Sequence, residues 1–330
     1  MTEGAPFLAT TGAAGRPITL YAEDCRTGLE RHLAPGSVDV VVTSPPYNLG
    51  VRYRSYDDRR PREEYLAWTG AVARAIDRVL APAGSFFLNL GGPPRDPWWP
   101  WDVAREVGRT FVLQNVIHWV KSIVIEREAA GRAAGLSRDL AVGHYKPIGS
   151  TRYLHGAHEY LYHFTRHGDV VLDRLAIGVP YQDASNVRRW RRAPSPVRCR
   201  GNTWFLPYPT IRERARDRPH PASFPPELPE RCLRLHGLER VRLAVDPFLG
   251  IGSSAIAAAR LGVPFVGFEV EPAYLEVARA RLAAVDRRSG RRAPAAADPD
   301  EGSTPRPAAA VPPTVPRPRR RRPTAASATP

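Results

Sequence analysis

Residues 241–255 read Val-Arg-Leu-Ala-Val-Asp-Pro-Phe-Leu-Gly-Ile-Gly-Ser-Ser-Ala, and this stretch decides the architecture. The apolar run Val241–Val245 predicts a strand, Gly250–Gly252 a tight turn, and Ser254–Leu261 a helix. A second strand, Pro264–Phe268, follows at once. A strand, a crossover helix and a strand pack back on one another only as a parallel pair. Glu269 closes the second strand, 19 positions after Gly250. This is also the form of a dinucleotide site, in which glycines admit a phosphate chain and a carboxylate holds a ribose diol.

Asp246 argues against a pyrophosphate at this turn, because a carboxylate directly before it would repel one. The same charge favours a ligand with an amino group and a sulfonium beside an adenosine, as in S-adenosylmethionine. Glu269 would hold the ribose in either case. Taken alone, the turn leaves the cofactor open between a nicotinamide dinucleotide and S-adenosylmethionine.

Working outward, Ile18–Ala22, Val38–Thr43, Ser85–Leu90, Phe111–Trp119 and Glu159–Phe164 read as further strands. Helices are expected over Thr27–Leu33, Glu63–Leu80, Pro226–His236 and Ala273–Leu282. In Glu63–Leu80, residues Leu66, Val72, Ile76, Val79 and Leu80 share one face, and Gly84 ends the segment. The alternation argues an α/β fold, an open and mostly parallel sheet with helices on both faces. Two stretches interrupt it. Ile123–Tyr145 is a polar insertion. Leu175–Asp217 is irregular, and its arginines (Arg188, Arg189, Arg191, Arg192, Arg198, Arg200, Arg212, Arg214, Arg216) alternate with Trp190, Trp204 and Tyr208. That mixture suits phosphate contact combined with stacking on bases.

The whole chain has 330 residues, 43% hydrophobic and 25% charged, which excludes a protein disordered throughout. No apolar run reaches the length of a membrane span. Met1–Ala14 lacks the basic start of a secretory signal. Three cysteines (Cys25, Cys199, Cys232) cannot form a disulfide framework, so a cytoplasmic setting is expected. The net charge of +15 points to a polyanionic partner such as nucleic acid. From Arg287 to Pro330 the chain is rich in Ala, Pro and Arg, with ten arginines against three acidic residues, and reads as a disordered basic tail. His118, His144, His155, His158 and His163 show no metal-ligand spacing, so no metal site is expected. Trp98, Trp99 and Trp101 read as cover over the cleft or core.

The strand Val38–Val42 runs into Thr43-Ser44-Pro45-Pro46-Tyr47-Asn48. Two prolines stiffen the backbone at the carboxyl end of a strand, where open α/β sheets place their chemistry. Their carbonyls and the Ser44 hydroxyl can accept hydrogen bonds from an exocyclic NH2, and Tyr47 offers a flat face to the ring that carries it.

At these residues the chain resembles the β-class DNA amino-methyltransferases, which act on cytosine N4 or adenine N6 and use S-adenosyl-L-methionine. That family places [Ser/Asp/Asn]-Pro-Pro-Tyr first, a target-recognition region next and Asp-Pro-Phe-x-Gly-x-Gly-[Ser/Thr] last. Here the order is Ser44–Tyr47, then 175–217, then Asp246–Ser253. The segment His220–Pro225 resembles the stretch that lines the methionine end, through Phe224. Ala22–Cys25 resembles the acidic turn whose aspartate, here Asp24, holds the adenine amine.

The resemblance implies a Rossmann-like, doubly wound class I methyltransferase fold in permuted order. Its catalytic half would span 1–174, the target-recognition region 175–217, the cofactor half 218–286 and the tail 287–330. It implies Ser44, Pro45, Pro46 and Tyr47 as catalytic residues, with Asp24, Phe224, Asp246, Phe248, Gly250, Gly252, Ser253 and Glu269 around the cofactor. The implied partners are double-stranded DNA and a cognate restriction endonuclease acting on the same site, with no membrane. The implied reaction is methyl transfer to the amine of a flipped base. Ser-Pro-Pro-Tyr is associated mainly with cytosine N4, with adenine N6 the alternative. Carbon-5 methylation needs a Pro-Cys nucleophile, and none of the three cysteines has that form. A nicotinamide oxidoreductase and a catalytically silent DNA-binding subunit are the rival readings.

Overall fold

The structure, a computed structural model, describes residues 4–51, 53, 56–131, 134–143, 149–181, 195–207 and 223–290. In chain order the strands are β1 (Leu8–Thr11), β2 (Pro17–Tyr21), β3 (Val38–Thr43), β4 (Leu80–Leu90), β5 (Val112–Val120), β6 (Ser122–Ile125), β7 (Leu140–Gly143), β8 (His158–Thr165), β9 (Val179–Pro180), β10 (Val197–Arg198), β11 (Thr203–Phe205), β12 (Ala244–Asp246) and β13 (Phe265–Phe268). Nine of them form one sheet in the order β1-β2-β13-β12-β3-β4-β8-β5-β11. The pairs from β2 to β4 are all parallel. β8 runs antiparallel between β4 and β5, and β1 antiparallel to β2.

Alternating side chains divide the core between the two faces. Val40, Val42 and Phe87 join one cluster with Leu228, Leu233, Ile256, Leu275 and Leu282 from the helices Glu227–His236, Ser253–Leu261 and Pro272–Gly290. Val41, Phe86 and Leu88 join the other with Leu29, Ile76 and Val103 from Cys25–His32, Arg62–Val79 and Trp99–Val107. The sheet is therefore doubly wound, as expected, and all six residues of β3 are buried.

Several boundaries differ from the sequence reading, each for a local reason. The β12 strand is only Ala244–Asp246, because the Asp39 carboxylate takes the amides of Arg242 (2.7 Å) and Leu243 (3.3 Å). The long helix ends at Val79, within a residue of the expected Leu80, but β4 starts at once at Leu80 and not at Ser85, with a register shift opposite Val38–Val40. The polar insertion contains an antiparallel pair, β6 with β7. Part of 175–217 joins the main sheet, since β11 pairs with β5. Trp204 is thereby buried in the core, its indole donating to the Gly201 carbonyl, so it is no stacking platform for a base. The strand β1 and the helix Trp99–Val107 had no expectation. The last helix runs through Gly290, past the expected tail boundary. Arg188–Arg192, Tyr208, Arg212, Arg214, Arg216, His220–Ala222 and 291–330 lie outside the described residues, as does His144. Among the described residues no helix is long and apolar enough to cross a membrane.

Candidate active site

Parallel pairing of β3 with β12 sets their carboxyl ends side by side, with Val40 opposite Ala244 and Val41 opposite Val245. The next side chains meet: Thr43 Oγ1 donates to Asp246 Oδ1 at 2.6 Å across 203 residues of sequence. Ser254 donates to Asp246 Oδ2, and the Phe248 amide donates to Oδ1 at 3.0 Å. Burial pushes the Asp246 carboxyl up to about 6, against the pull of these donors. Asp246 thus braces the turn from behind and is nearly sealed from solvent. Gly252, at φ 80°, caps the next helix in the left-handed region, where a Cβ would meet the Ala278 side chain at 2.9 Å.

In front of the turn lies a cleft of about 1020 Å³, counted out to its open mouth. Asp24, Ser44, Pro46, Phe224, Phe248, Gly250, Ser253 and Glu269 line it, whereas Pro45, Tyr47, Asp246 and Gly252 adjoin lining residues in the chain without being part of the lining. Glu269 accepts the Gly250 amide on one oxygen and the Glu271 amide on the other, each at 2.9 Å. Burial raises its pKa. Each carboxylate oxygen keeps a lone pair for a ribose hydroxyl. Asp24 caps the helix Cys25–His32 and is gripped by Arg26 through the amide (2.8 Å), Nε and Nη2 (both 3.0 Å). Burial works to raise Asp24, but these bonds leave it below the usual carboxylate range. A ligand amine at Asp24 would share the carboxylate with Arg26. Tyr53, Tyr56 and Trp68, unforeseen in the sequence, add an aromatic wall, with Trp68 at 5.4 Å from the Phe248 ring.

The Ser44–Tyr47 corner is pinned at two carbonyls. Tyr65 donates its hydroxyl to the Pro46 carbonyl at 2.5 Å, and the Trp99 indole donates to the Tyr47 carbonyl at 2.6 Å. Trp99 and Trp101 therefore belong to the core around the corner, while Trp98 is exposed. Tyr47 lies over Gly91, where a Cβ would come within 3.0 Å of its ring. Its hydroxyl meets Ser44 Oγ at 2.7 Å and Asn89 Nδ2 at 2.6 Å, and donates to Glu159 Oε2 at 3.1 Å. Asn89 also donates to Glu159 (2.7 Å), and Lys121 Nζ donates to its other oxygen (2.9 Å). Sequence reasoning missed Asn89, Lys121 and Glu159. The available signal was a polar side chain at the end or inside of an apolar strand. Among the described residues no group of three His, Cys, Asp or Glu converges as a metal site would require. Cys25 and Cys232 are buried, with thiols pushed up by burial, and Cys199 is exposed.

A family model of DNA methylases, the N6 and N4 type, matches residues 38–280. The chain belongs to the DNA methylase family. Among its relatives, the type II methyltransferase M.BglII of Bacillus subtilis is 29% identical over 256 residues, covering 73% of this chain and 62% of that protein. The type II methyltransferase M.HpaI of Haemophilus parainfluenzae is 25% identical over 257 residues, covering 76% and 70%. The chain thus spans somewhat under two thirds of the length of M.BglII. The solved PvuII DNA methyltransferase, cytosine-N4-specific, shares the fold with a TM-score of 0.59 at 18% identity, covering 86% of this chain and 94% of that one. The methyl donor of this DNA methylase family is S-adenosyl-L-methionine. The cleft fits it in chemistry, being lined by the half-buried Glu269 carboxylate, by Asp24 and by the rings of Tyr53, Tyr56, Trp68, Phe224 and Phe248.

Proposed function

We infer that this DNA methylase transfers a methyl group from S-adenosylmethionine to the exocyclic amine of a base flipped out of duplex DNA, cytosine N4 being the favoured target. One observation carries the reading: Ser44 and the Gly250 turn line the same cleft, held in place by the Thr43–Asp246 hydrogen bond. When bound, the cofactor supplies a methyl group on a sulfonium, open to attack by a nitrogen lone pair. The protein's task is to make that lone pair available. The amine of a nucleobase is a poor nucleophile because its lone pair is delocalised into the ring. Hydrogen bonds from its two protons to Ser44 Oγ and the Pro45 carbonyl would draw the nitrogen toward tetrahedral geometry and aim the lone pair. The Pro46 carbonyl already accepts from Tyr65, which favours Pro45 as the second acceptor. Positioning supplies most of the acceleration, and no covalent intermediate is needed.

Glu269 would orient the ribose, Asp24 the adenine amine, and Phe224, Phe248 and Ser253 the rest of the cofactor. Asp246 and Gly252 would act through the shape and charge of the turn. Residues 175–217 would carry target recognition, and the arginine-rich composition supplies the attraction to duplex DNA. The type II relatives suggest a restriction–modification pair with a cognate endonuclease. Base-resolved sequencing of plasmid from an expressing host tests the reading. We expect N4-methylcytosine at one short sequence, lost in Ser44→Ala. Methyl groups only on adenine N6 reverse the choice of base, and an unmodified plasmid overturns the function.

A further inference from the structure

An exocyclic amine that takes up a methyl group gains a positive charge, and one of its protons must leave before the product is neutral. In the methyl-transfer reading above Ser44 is the side chain that would meet that amine, and the hydrogen bonds behind it run one way. The Tyr47 hydroxyl has a single proton, donated to Glu159 Oε2 at 3.1 Å, while its oxygen accepts from Asn89 Nδ2 at 2.6 Å. The 2.7 Å contact with Ser44 therefore runs from Ser44 Oγ–H to Tyr47 Oη. That leaves the serine's lone pairs for the incoming amine. At the far end, Glu159 Oε1 is paired with Lys121 at 2.9 Å. Burial works to raise the Glu159 pKa, but Lys121, Asn89 and Tyr47 hold it below its ordinary value, so the carboxylate is ionised and able to take a proton. The titratable groups facing it are Lys121 from the link between β5 and β6, Tyr47 from the loop after β3, and His158 beside it on β8, with His118 at 5.4 Å from His158. β4 contributes the neutral Asn89.

We propose that Glu159 is the terminal proton acceptor of a relay from Ser44 through Tyr47, which neutralises the methylated amine. It rests on the methyl-transfer reading above. An N–H bond of the alkylated amine breaks, its electron pair stays on nitrogen, and the proton passes to Ser44 Oγ. The Ser44 proton passes to Tyr47 Oη and the Tyr47 proton to Glu159 Oε2. One N–H bond is exchanged for one carboxyl O–H bond, and a positive and a negative charge cancel. Glu159 acts through Tyr47 and is a positioning residue with a sink for the proton, while Lys121 keeps that sink empty.

The test uses the full chain. Glu159→Gln keeps an acceptor for Tyr47 but cannot take a proton. Its single-turnover methyl transfer should fall about a hundredfold, with S-adenosylmethionine and duplex binding unchanged by calorimetry. Lys121→Met removes the cation and leaves the burial, so the Glu159 pKa rises. Its single-turnover rate should drop at least tenfold from pH 8 to pH 6, while the wild-type rate stays level over that range. Infrared titration of the cofactor-free protein supplies a readout independent of activity. A carboxylic-acid band should appear in Lys121→Met at the pH of the kinetic limb and vanish in Lys121→Met/Glu159→Gln. Lys121→Gln replaces Lys121→Met if the latter fails to fold. A Glu159→Gln rate within twofold of wild type, or a Lys121 variant with a flat profile, overturns the relay. A wild-type protein that methylates no DNA overturns the underlying reading instead, and the infrared result still reports on the carboxylate.

Discussion

Asp246 is a carboxylate kept in a place that disfavours its charge. Burial raises its pKa from the ordinary 3.8 to about 6, so the unfolded chain releases this proton before the native protein does. The native state therefore loses stability as pH rises from about 4 to about 6, and above that the cost is constant, about 3 kcal/mol. We expect Asp246→Asn to melt at a higher temperature than wild type at pH 8, with the gap closing at pH 4. The same variant should bind S-adenosylmethionine more weakly, since the negative charge behind the turn is gone. Scanning calorimetry at both pH values with a binding isotherm checks this, and a variant that melts lower at pH 8 contradicts it. Residues of this kind were legible early. Asp246 and Glu269 stand out because a carboxylate at the end of an apolar strand has no packing role to play. The partners that make Ser44 an acceptor were not legible, because Asn89 on β4, Glu159 on β8 and Lys121 just after β5 are far apart in sequence and meet only through the sheet order.

Between elements, a buried polar knot holds β4, β8 and the helix Glu227–His236 together. The Ser85 hydroxyl lies 2.9 Å from His163 Nε2 and 2.9 Å from His236 Nδ1, and all three side chains are buried. Burial lowers the two histidine pKa values to about 3 and about 4, so both rings are neutral in the native state. As pH falls below about 6.5 the unfolded chain takes up two protons that the native protein refuses. Stability should then fall by up to about 1.4 kcal/mol per pH unit for each ring, outweighing the opposite trend of Asp246. Urea midpoints measured from pH 7 to pH 4 should drop steeply in wild type and much less in His163→Gln/His236→Gln. Equal slopes would remove the knot as the cause. This knot shows what pattern reading can and cannot supply. Strand β3 and the helix Arg62–Val79 follow from apolar runs and period alone, because each is decided by its own burial. The early start of β4 was hidden by Gly84, which read as the end of the helical segment and instead lies within the strand, where the pairing with β3 shifts register. Likewise β11 is three residues long, and its place in the sheet depends on β5, not on its own composition.

At the scale of the molecule the arginines divide into two groups. Some serve the fold: Arg78 donates to the carbonyls of Leu29, Glu30 and Leu33, Arg166 to that of Leu80, and Arg281 to that of Ile251. The net charge of +15 leaves many others for phosphates. With about six phosphate contacts, duplex affinity should fall roughly a thousandfold between 50 and 200 mM salt, as fluorescence anisotropy would register. A flat response would mean that the cations serve the protein alone. The sheet order has a further effect during synthesis. The strands that fill its middle, β12 and β13, leave the ribosome after every other strand of the sheet, so β2 and β3 emerge with a two-strand gap between them. A nascent chain in that state exposes unpaired backbone on both sides of the gap and has no second wall for the cleft. Such open edges are templates for pairing with other chains, so the growing polypeptide is exposed to misassembly at its centre until the last two strands arrive.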